Sequence, residues 1–160
     1  MRVLGIDPSL RSTGYAVLEG GRKHQNVLEF GLIKTRTGEP LEVSLTHIAD
    51  SVENILVKHK PDILAIEDIY TAKNIRVALH LGHVRGVIIV ICRRSGLAAA
   101  QYSATRIKET VAGYGRADKK QIQHMVTRTL KLPEEPPSDA ADALAAALTH
   151  MFWNESGSTV

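Results

Sequence analysis

Four carboxylates stand where a carboxylate is costly unless something compensates it. Asp7 closes one apolar run, Val3-Leu4-Gly5-Ile6, and Glu67 closes another, Ile63-Leu64-Ala65-Ile66. Asp139 and Asp142 are three apart, so on a helix they share a face in its first turn. A carboxylate ending a buried strand needs a partner, and a divalent cation is the obvious one. All-oxygen ligands suit Mg²⁺ or Mn²⁺. Two such ions roughly 3.5–4 Å apart activate a water and stabilise the leaving oxygen in phosphodiester cleavage.

Each carboxylate also has a plainer reading. Asp7-Pro8 is a common turn start. Glu67-Asp68 suits a strand end meeting solvent, and adjacent strand residues point to opposite faces, so at most one of them faces Asp7. Asp139 as a helix N-cap with Asp142 three residues on resembles a capping box. Taken together, the four favour a metal site. No Ser-His-Asp or Cys-His arrangement competes with it, and Cys92 is the one cysteine, set in an apolar run. A disulfide framework and a cysteine zinc site are thereby excluded, and Cys92 reads as a small core residue. His80 and His83 are three apart but have no further ligand nearby, so they read as ordinary helix histidines.

The charge is unevenly placed. Between Lys73 and Lys131 twelve basic residues face two acidic ones, Glu109 and Asp118, while the carboxylate candidates flank that window. A basic middle beside a metal site fits a polyanion held over it; two solvated basic helices would look the same. No secretory signal precedes Arg2, and the apolar run Val87 to Cys92 is far too short to span a bilayer. A reducing cytoplasm, without membrane association, is the expected setting.

These side chains need elements to hold them. Met1 to Tyr15 reads as a strand ending on Asp7, a polar turn over Ser9 to Thr13, and a returning strand over 14–18. His24 to Thr35 alternates as a third antiparallel strand. Leu41, Leu45, Ile48, Val52, Ile55 and Leu56 mark one face of a helix over 41–59. Ile63 to Ile66 is a buried strand of parallel type. Residues 74–94 form a long helix whose apolar residues spread widely around it, which suits a subunit interface. A fifth strand covers 97–102. Helices follow over 104–112, with Ser103 as cap, over 119–130, and over 140–152 after the proline break at 133–137. The whole is one α/β domain over 1–152, a mixed sheet with helices on its faces, followed by a disordered tail at 153–160.

At these residues the chain resembles a known family. Gly5-Ile6-Asp7-Pro8 with Thr13-Gly14-Tyr15, Ala65-Ile66-Glu67, Ala72-Lys73-Asn74 and Leu81-Gly82-His83-Val84-Arg85-Gly86 look like the bacterial RuvC family of Holliday-junction resolvases. So do Ile107-Lys108-Glu109-Thr110-Val111, the run from Lys119 to Val126, and Asp139-Ala140-Ala141-Asp142-Ala143-Leu144-Ala145. The resemblance runs in order over nearly the whole chain. It implies a ribonuclease-H-like five-stranded sheet and a symmetric homodimer that cuts opposing strands of a four-way DNA junction in recombination and repair. It also implies Mg²⁺ in pairs at each site, with Mn²⁺ substituting, and a branch-migration complex as partner.

Carried onto this chain, the resemblance makes Asp7, Glu67, Asp139 and Asp142 the catalytic metal ligands, with Lys108 beside the reacting phosphate. Tyr70, Lys73, Arg76, Lys108, Arg116, Lys119 and Lys120 become the DNA contacts. Tyr70 stands where the family usually has Phe and keeps the ring that would wedge against an unstacked base. Ser9 replaces a common Gly, and Asp68 a usual Gln, which adds negative charge near DNA. Three other readings stay open. Actin-like kinases share the opening hairpin but need a second such domain; a ribonuclease-H-like nuclease acting on structured RNA and a junction-binding module that does not cut are closer.

Overall fold

The computed structural model describes residues 1–68 and 74–154. Three antiparallel strands come first: β1 (Arg2–Asp7), β2 (Ser12–Gly21) and β3 (His24–Lys34). Helix α1 (Leu41–His59) leads to β4 (Ile63–Glu67), and α2 (Ile75–Arg94) to β5 (Ala98–Tyr102). Helices α3 (Ala104–Ala112), α4 (Lys119–Thr129) and α5 (Ser138–Asn154) complete the chain. The strand order is β3-β2-β1-β4-β5, with β4 parallel to both β1 and β5. The expected mixed five-stranded α/β sheet is therefore present.

Alternation along the central strands divides the core in two. Val3 of β1 and Ala65 of β4 pack with Ile107, Ile122, Val126, Ala143, Leu144 and Ala147, on the side of α3, α4 and α5. Leu4, Ile6, Leu64 and Ile66 pack with Ile48, Val52, Ile55, Val84 and Ile88, on the side of α1 and α2. Both faces of β1 and β4 are covered, which is why these strands read as unbroken apolar runs rather than alternating ones. Cys92 belongs to the second cluster, and burial pushes its thiol up to about 12, so it is inert packing.

A polar knot joins the outer strands to α1 on that second side. Glu29 of β3 accepts from Tyr15 Oη at 2.8 Å and Lys58 Nζ at 2.5 Å, and its carboxylate lies 2.7 Å from His59 Nε2. α1 then ends at Lys60 in the left-handed conformation, φ 47°, ahead of Pro61.

Helix α2 is, among the described residues, long and apolar enough by length and composition to cross a membrane. Val84, Arg85, Ile88, Ile91 and Cys92 are buried inward, while Ile75, Leu79 and Val90, with Gly82 and Gly86 between them, stay exposed on one outer stripe.

Several boundaries differ from the sequence reading. Leu97 precedes β5 rather than opening it, and Thr35 follows β3. The last helix begins earlier than expected, because the Ala141 N–H donates to the Pro137 carbonyl at 2.9 Å and Ser138 is already helical. It also runs past the expected boundary at 152. The Trp153 indole donates to Thr110 Oγ1 at 2.8 Å and lies under the Arg106 guanidinium, 4.0 Å from the ring centroid. Trp153 and Asn154 are thus helix rather than tail.

Candidate active site

The two strand-end carboxylates are delivered by register. β1 and β4 run parallel with Gly5 opposite Ala65 and Ile6 opposite Ile66, so Asp7 and Glu67 follow on neighbouring strand ends. Both continue the alternation of Val3-Gly5 and Ile63-Ala65, the face toward α5. Asp68 takes the other direction. It is exposed, and its Oδ1 lies 3.7 Å from the Arg85 guanidinium, so the extra negative charge is held by an arginine of α2.

The helical pair arrives by close approach. A methyl group added to Gly14 would lie 1.9 Å from the Asp139 carbonyl oxygen, and one on Gly5 would lie 2.1 Å from that of Ala143. α5 therefore rests on the backbone of β1 and β2, and only glycine fits at these two contacts. Asp139 is inside the first turn of α5 and not its N-cap, which corrects the capping alternative.

Asp7, Glu67 and Asp142 line one cleft of about 310 Å³ with Ala104, Ile107, Lys108, Lys119 and Ile122. Lys119 Nζ lies 3.3 Å from Asp142 Oδ2. Its place is set by a local signal that the sequence carried: Asp118 caps α4, accepting from the Gln121 N–H at 2.9 Å while Gln121 Oε1 accepts from the Asp118 N–H at 2.8 Å. Lys108 comes from α3, whose cap Ser103 accepts from the Arg106 N–H at 3.2 Å.

Electrostatics bind these groups into one cluster. Burial raises Asp7 to about 7 from 3.8, and the charges of Asp142, Asp139 and Glu67 add to the rise, with Lys119 opposing it. Glu67 and Asp142 are also raised, each mainly by burial, with Lys119 and Lys108 opposing. Asp142 in turn raises Lys119. The negative charge exceeds what two lysines neutralise, and Asp7 would hold a proton near neutrality unless another cation displaced it. Among the described residues no three carboxylates or imidazoles close to metal-ligating distance in this arrangement; they share a cleft and a field, with Lys119 against Asp142. His80 and His83 likewise form no ligand group there.

The remaining predicted contacts scatter around the cleft. Arg116 and Lys120 are exposed, and Arg76 is exposed in the first turn of α2, its N–H donating to Asn74 Oδ1 at 2.9 Å. Tyr70 and Lys73 lie outside the described residues. Ser9 closes the turn after Asp7 through its backbone: its carbonyl accepts from Thr13 Oγ1 at 2.6 Å, so the departure from Gly leaves the turn intact. Arg85, counted among the basic residues over the site, is instead buried with 7% of its surface exposed.

Known proteins match nearly the whole of this chain. The family model described as crossover junction endodeoxyribonuclease RuvC matches residues 3–150. A protein of that name from Pseudoalteromonas atlantica is 48% identical over 153 residues, 96% of this chain and 88% of the relative. The structure of Thermus thermophilus RuvC in complex with Holliday junction substrate superposes with a TM-score of 0.93 at 32% identity, covering 98% of this chain and 96% of that one. The yeast mitochondrial Holliday junction resolvase shares the fold at a TM-score of 0.66 and 12% identity, over 96% of this chain and 80% of its own. With its ribonuclease-H-like sheet and its matched length, this chain belongs to the RuvC family of crossover junction endodeoxyribonucleases.

Proposed function

We propose that this chain resolves four-way DNA junctions by paired, symmetric, metal-dependent hydrolysis, with Asp7, Glu67, Asp139 and Asp142 as the metal-holding carboxylates. The convergence of β1, β4 and α5 on one cleft carries the reading: three half-buried carboxylates share it, and a fourth adds its charge. The donor set fits a hard divalent cation, since all of its donors are oxygens and the cluster carries excess negative charge. Mg²⁺ is the proposed ion, two per site, with Mn²⁺ able to substitute. When bound, such ions supply a water of lowered pKa and neutralise charge at the scissile phosphate.

The protein's own groups do the rest. Lys108, half-buried on the cleft wall, sits where it can offset charge developing on the phosphate. Lys119 holds Asp142 by its ion pair and presents a second cation toward the DNA backbone. Arg76, Arg116 and Lys120 add exposed charge for phosphate contacts, as Lys73 would beside them, and each steepens the salt dependence of binding. Tyr70 supplies the aromatic wedge. The apolar outer stripe of α2 is proposed as the homodimer interface, where Gly82 and Gly86 leave open space for close approach of a second helix. A twofold dimer would set two clefts against a twofold-symmetric junction. A branch-migration complex would present the junction, in the cytoplasm.

The test mixes purified protein with a labelled synthetic four-way junction or a matched linear duplex, in Mg²⁺ or EDTA, beside Asp7→Asn. Paired nicks confined to the junction, lost with EDTA and with the variant, are the expected result. Binding without nicks would make the chain a non-cutting module, and indifference to junction shape would favour an RNA-directed nuclease.

A further inference from the structure

Arg85 occupies the inward stripe of α2 between Val84 and Ile88, both fully buried. A guanidinium on a core-facing position is tolerated only when its donors are matched. Nη1 donates to the backbone carbonyl of Glu67, and Nη2 donates to Gln101 Oε1 at 2.7 Å. Nη2 also lies 3.7 Å from Asp68 Oδ1. These acceptors are the last residue of β4, the residue after it, and a residue of β5. Beside them the Asp68 N–H donates to the Tyr102 carbonyl at 2.8 Å. The strand end that carries Glu67 is therefore gripped from β5 on one side and from α2 on the other.

Arg85 is absent from the cleft wall, and its burial keeps it from a DNA phosphate. Whatever it contributes to the reaction passes through Glu67. We propose that Arg85 is a positioning residue: by holding the Glu67 carbonyl and the Gln101 amide together, it fixes the direction in which the Glu67 carboxylate leaves β4, and so sets the cation affinity of the cluster. The inference rests on the reading of Glu67 as a metal ligand. Outer-shell groups of this kind typically change metal affinity by about 10–100-fold when removed.

The test measures Mn²⁺ binding to the full chain without DNA, from the free-ion signal in electron paramagnetic resonance, for wild type, Glu67→Gln, Arg85→Met, Arg85→Lys and Gln101→Ala. Mg²⁺ dependence of single-turnover cleavage and junction affinity in EDTA are measured beside it. Arg85→Met should weaken Mn²⁺ binding by roughly tenfold and raise the Mg²⁺ midpoint to match, with junction affinity in EDTA unchanged. Arg85→Lys, which keeps one donor to the Glu67 carbonyl, should recover part of the loss. Gln101→Ala should show a smaller shift, and with Arg85→Lys it decides the matter if Arg85→Met does not fold. Wild-type Mn²⁺ affinity in the folded Arg85 and Gln101 variants, with Glu67→Gln weakened, overturns this inference alone. Wild-type affinity in Glu67→Gln overturns the metal-ligand reading beneath it.

Discussion

The two faces of the central sheet are built from different residues for different ends. Toward α1 and α2 the strands present Leu4, Ile6, Val17, Leu64 and Ile66, and the helices answer with Ile48, Val52, Ile55 and Ile88. Toward α5 they present Val3 and Leu18 but also Gly5, Gly14, Ala16 and Ala65, answered by Ala143 and Ala147 beside Leu144 and Leu148. Branched aliphatics bury more area per residue and supply more of the hydrophobic driving force. Small residues give up area but let a helix approach until backbone meets backbone. Both faces bury a hydrophobic core, and the second, where helix meets strand backbone, also fixes how closely α5 and its aspartates approach β1 and β2. The charges divide likewise: Asp7 on the tight face is held well above its ordinary range. Glu29, bonded to Lys58, His59 and Tyr15 beside the aliphatic face, is held down near 2.

The largest expected break is Asp7→Asn. Cleavage should fall at least about a thousandfold, since the ligand's share of transition-state charge stabilisation is several kcal/mol. Stability in EDTA should move the other way. Asp7 titrates at about 7 in the folded protein, against 3.8 for an unperturbed aspartate, so the folded state holds its proton longer than the unfolded chain. Its contribution is present at low pH and is lost as pH rises from about 4 to about 7, by up to about 4 kcal/mol. Urea unfolding at pH 5 and pH 8 should therefore show the metal-free protein weaker at pH 8. Asp7→Asn should flatten that slope, and Mg²⁺ should offset it in the wild type. A wild-type protein equally stable at both pH values would remove the contrast between the faces.

Gly14→Ala is next. Its methyl group has no room beside the Asp139 carbonyl, so α5 must shift. Overpacking of this kind costs about 1–3 kcal/mol and occasionally more. A displacement of even about 1 Å at the carboxylates should slow cleavage by roughly a hundredfold. Single-turnover rates on folded protein would show it; an unaffected rate would mean that the close approach sets nothing.

Glu29→Gln should cost about 1–2 kcal/mol at pH 7 with cleavage unchanged. Glu29 is depressed first by its bond to Lys58, then by those to His59 and Tyr15. That stability is present above pH 4.5 and is lost as pH falls toward 2, the opposite sense to Asp7. Acid unfolding of the two variants side by side measures the difference. Smallest is Ile48→Val in the aliphatic face, which should cost about 1 kcal/mol in urea unfolding. Mn²⁺ affinity should be untouched, and any change there would show that the faces are not separable.

Much of this was legible in the residues. Apolar spacing located α1 to the residue and both strands that end in acid, because buried strands and amphipathic helices write their period directly into sequence. The rule of alternating strand sides allowed at most one of Glu67 and Asp68 to face Asp7, and the sheet turns Glu67 to that side. Tertiary facts were not legible. Nothing local marks Gly5 and Gly14 as contact surfaces for a helix more than a hundred residues away. Arg85 counts as one more basic residue until its donors are seen turned inward. The capping box of Asp118 with Gln121 was readable at its spacing and passed over. The early start of α5 depended on a carbonyl of Pro137 that no side-chain pattern announces.

The seating of α5 on β1 and β2 also bears on when the site comes into being. Of the ten elements among the described residues, the strand carrying Asp7 comes first in the chain and the helix that completes its surroundings comes last. Contacts between chain regions so far apart close slowly, because a long loop must be ordered before they are formed. During synthesis the emerging chain therefore holds at most two of the four proposed metal-holding carboxylates, Asp7 and Glu67, in place, with the α5-facing side of β1 still open. The proposed nuclease cleft and the folded core are finished by the same late docking. A chain that has not completed folding is thereby a chain that cannot cut DNA.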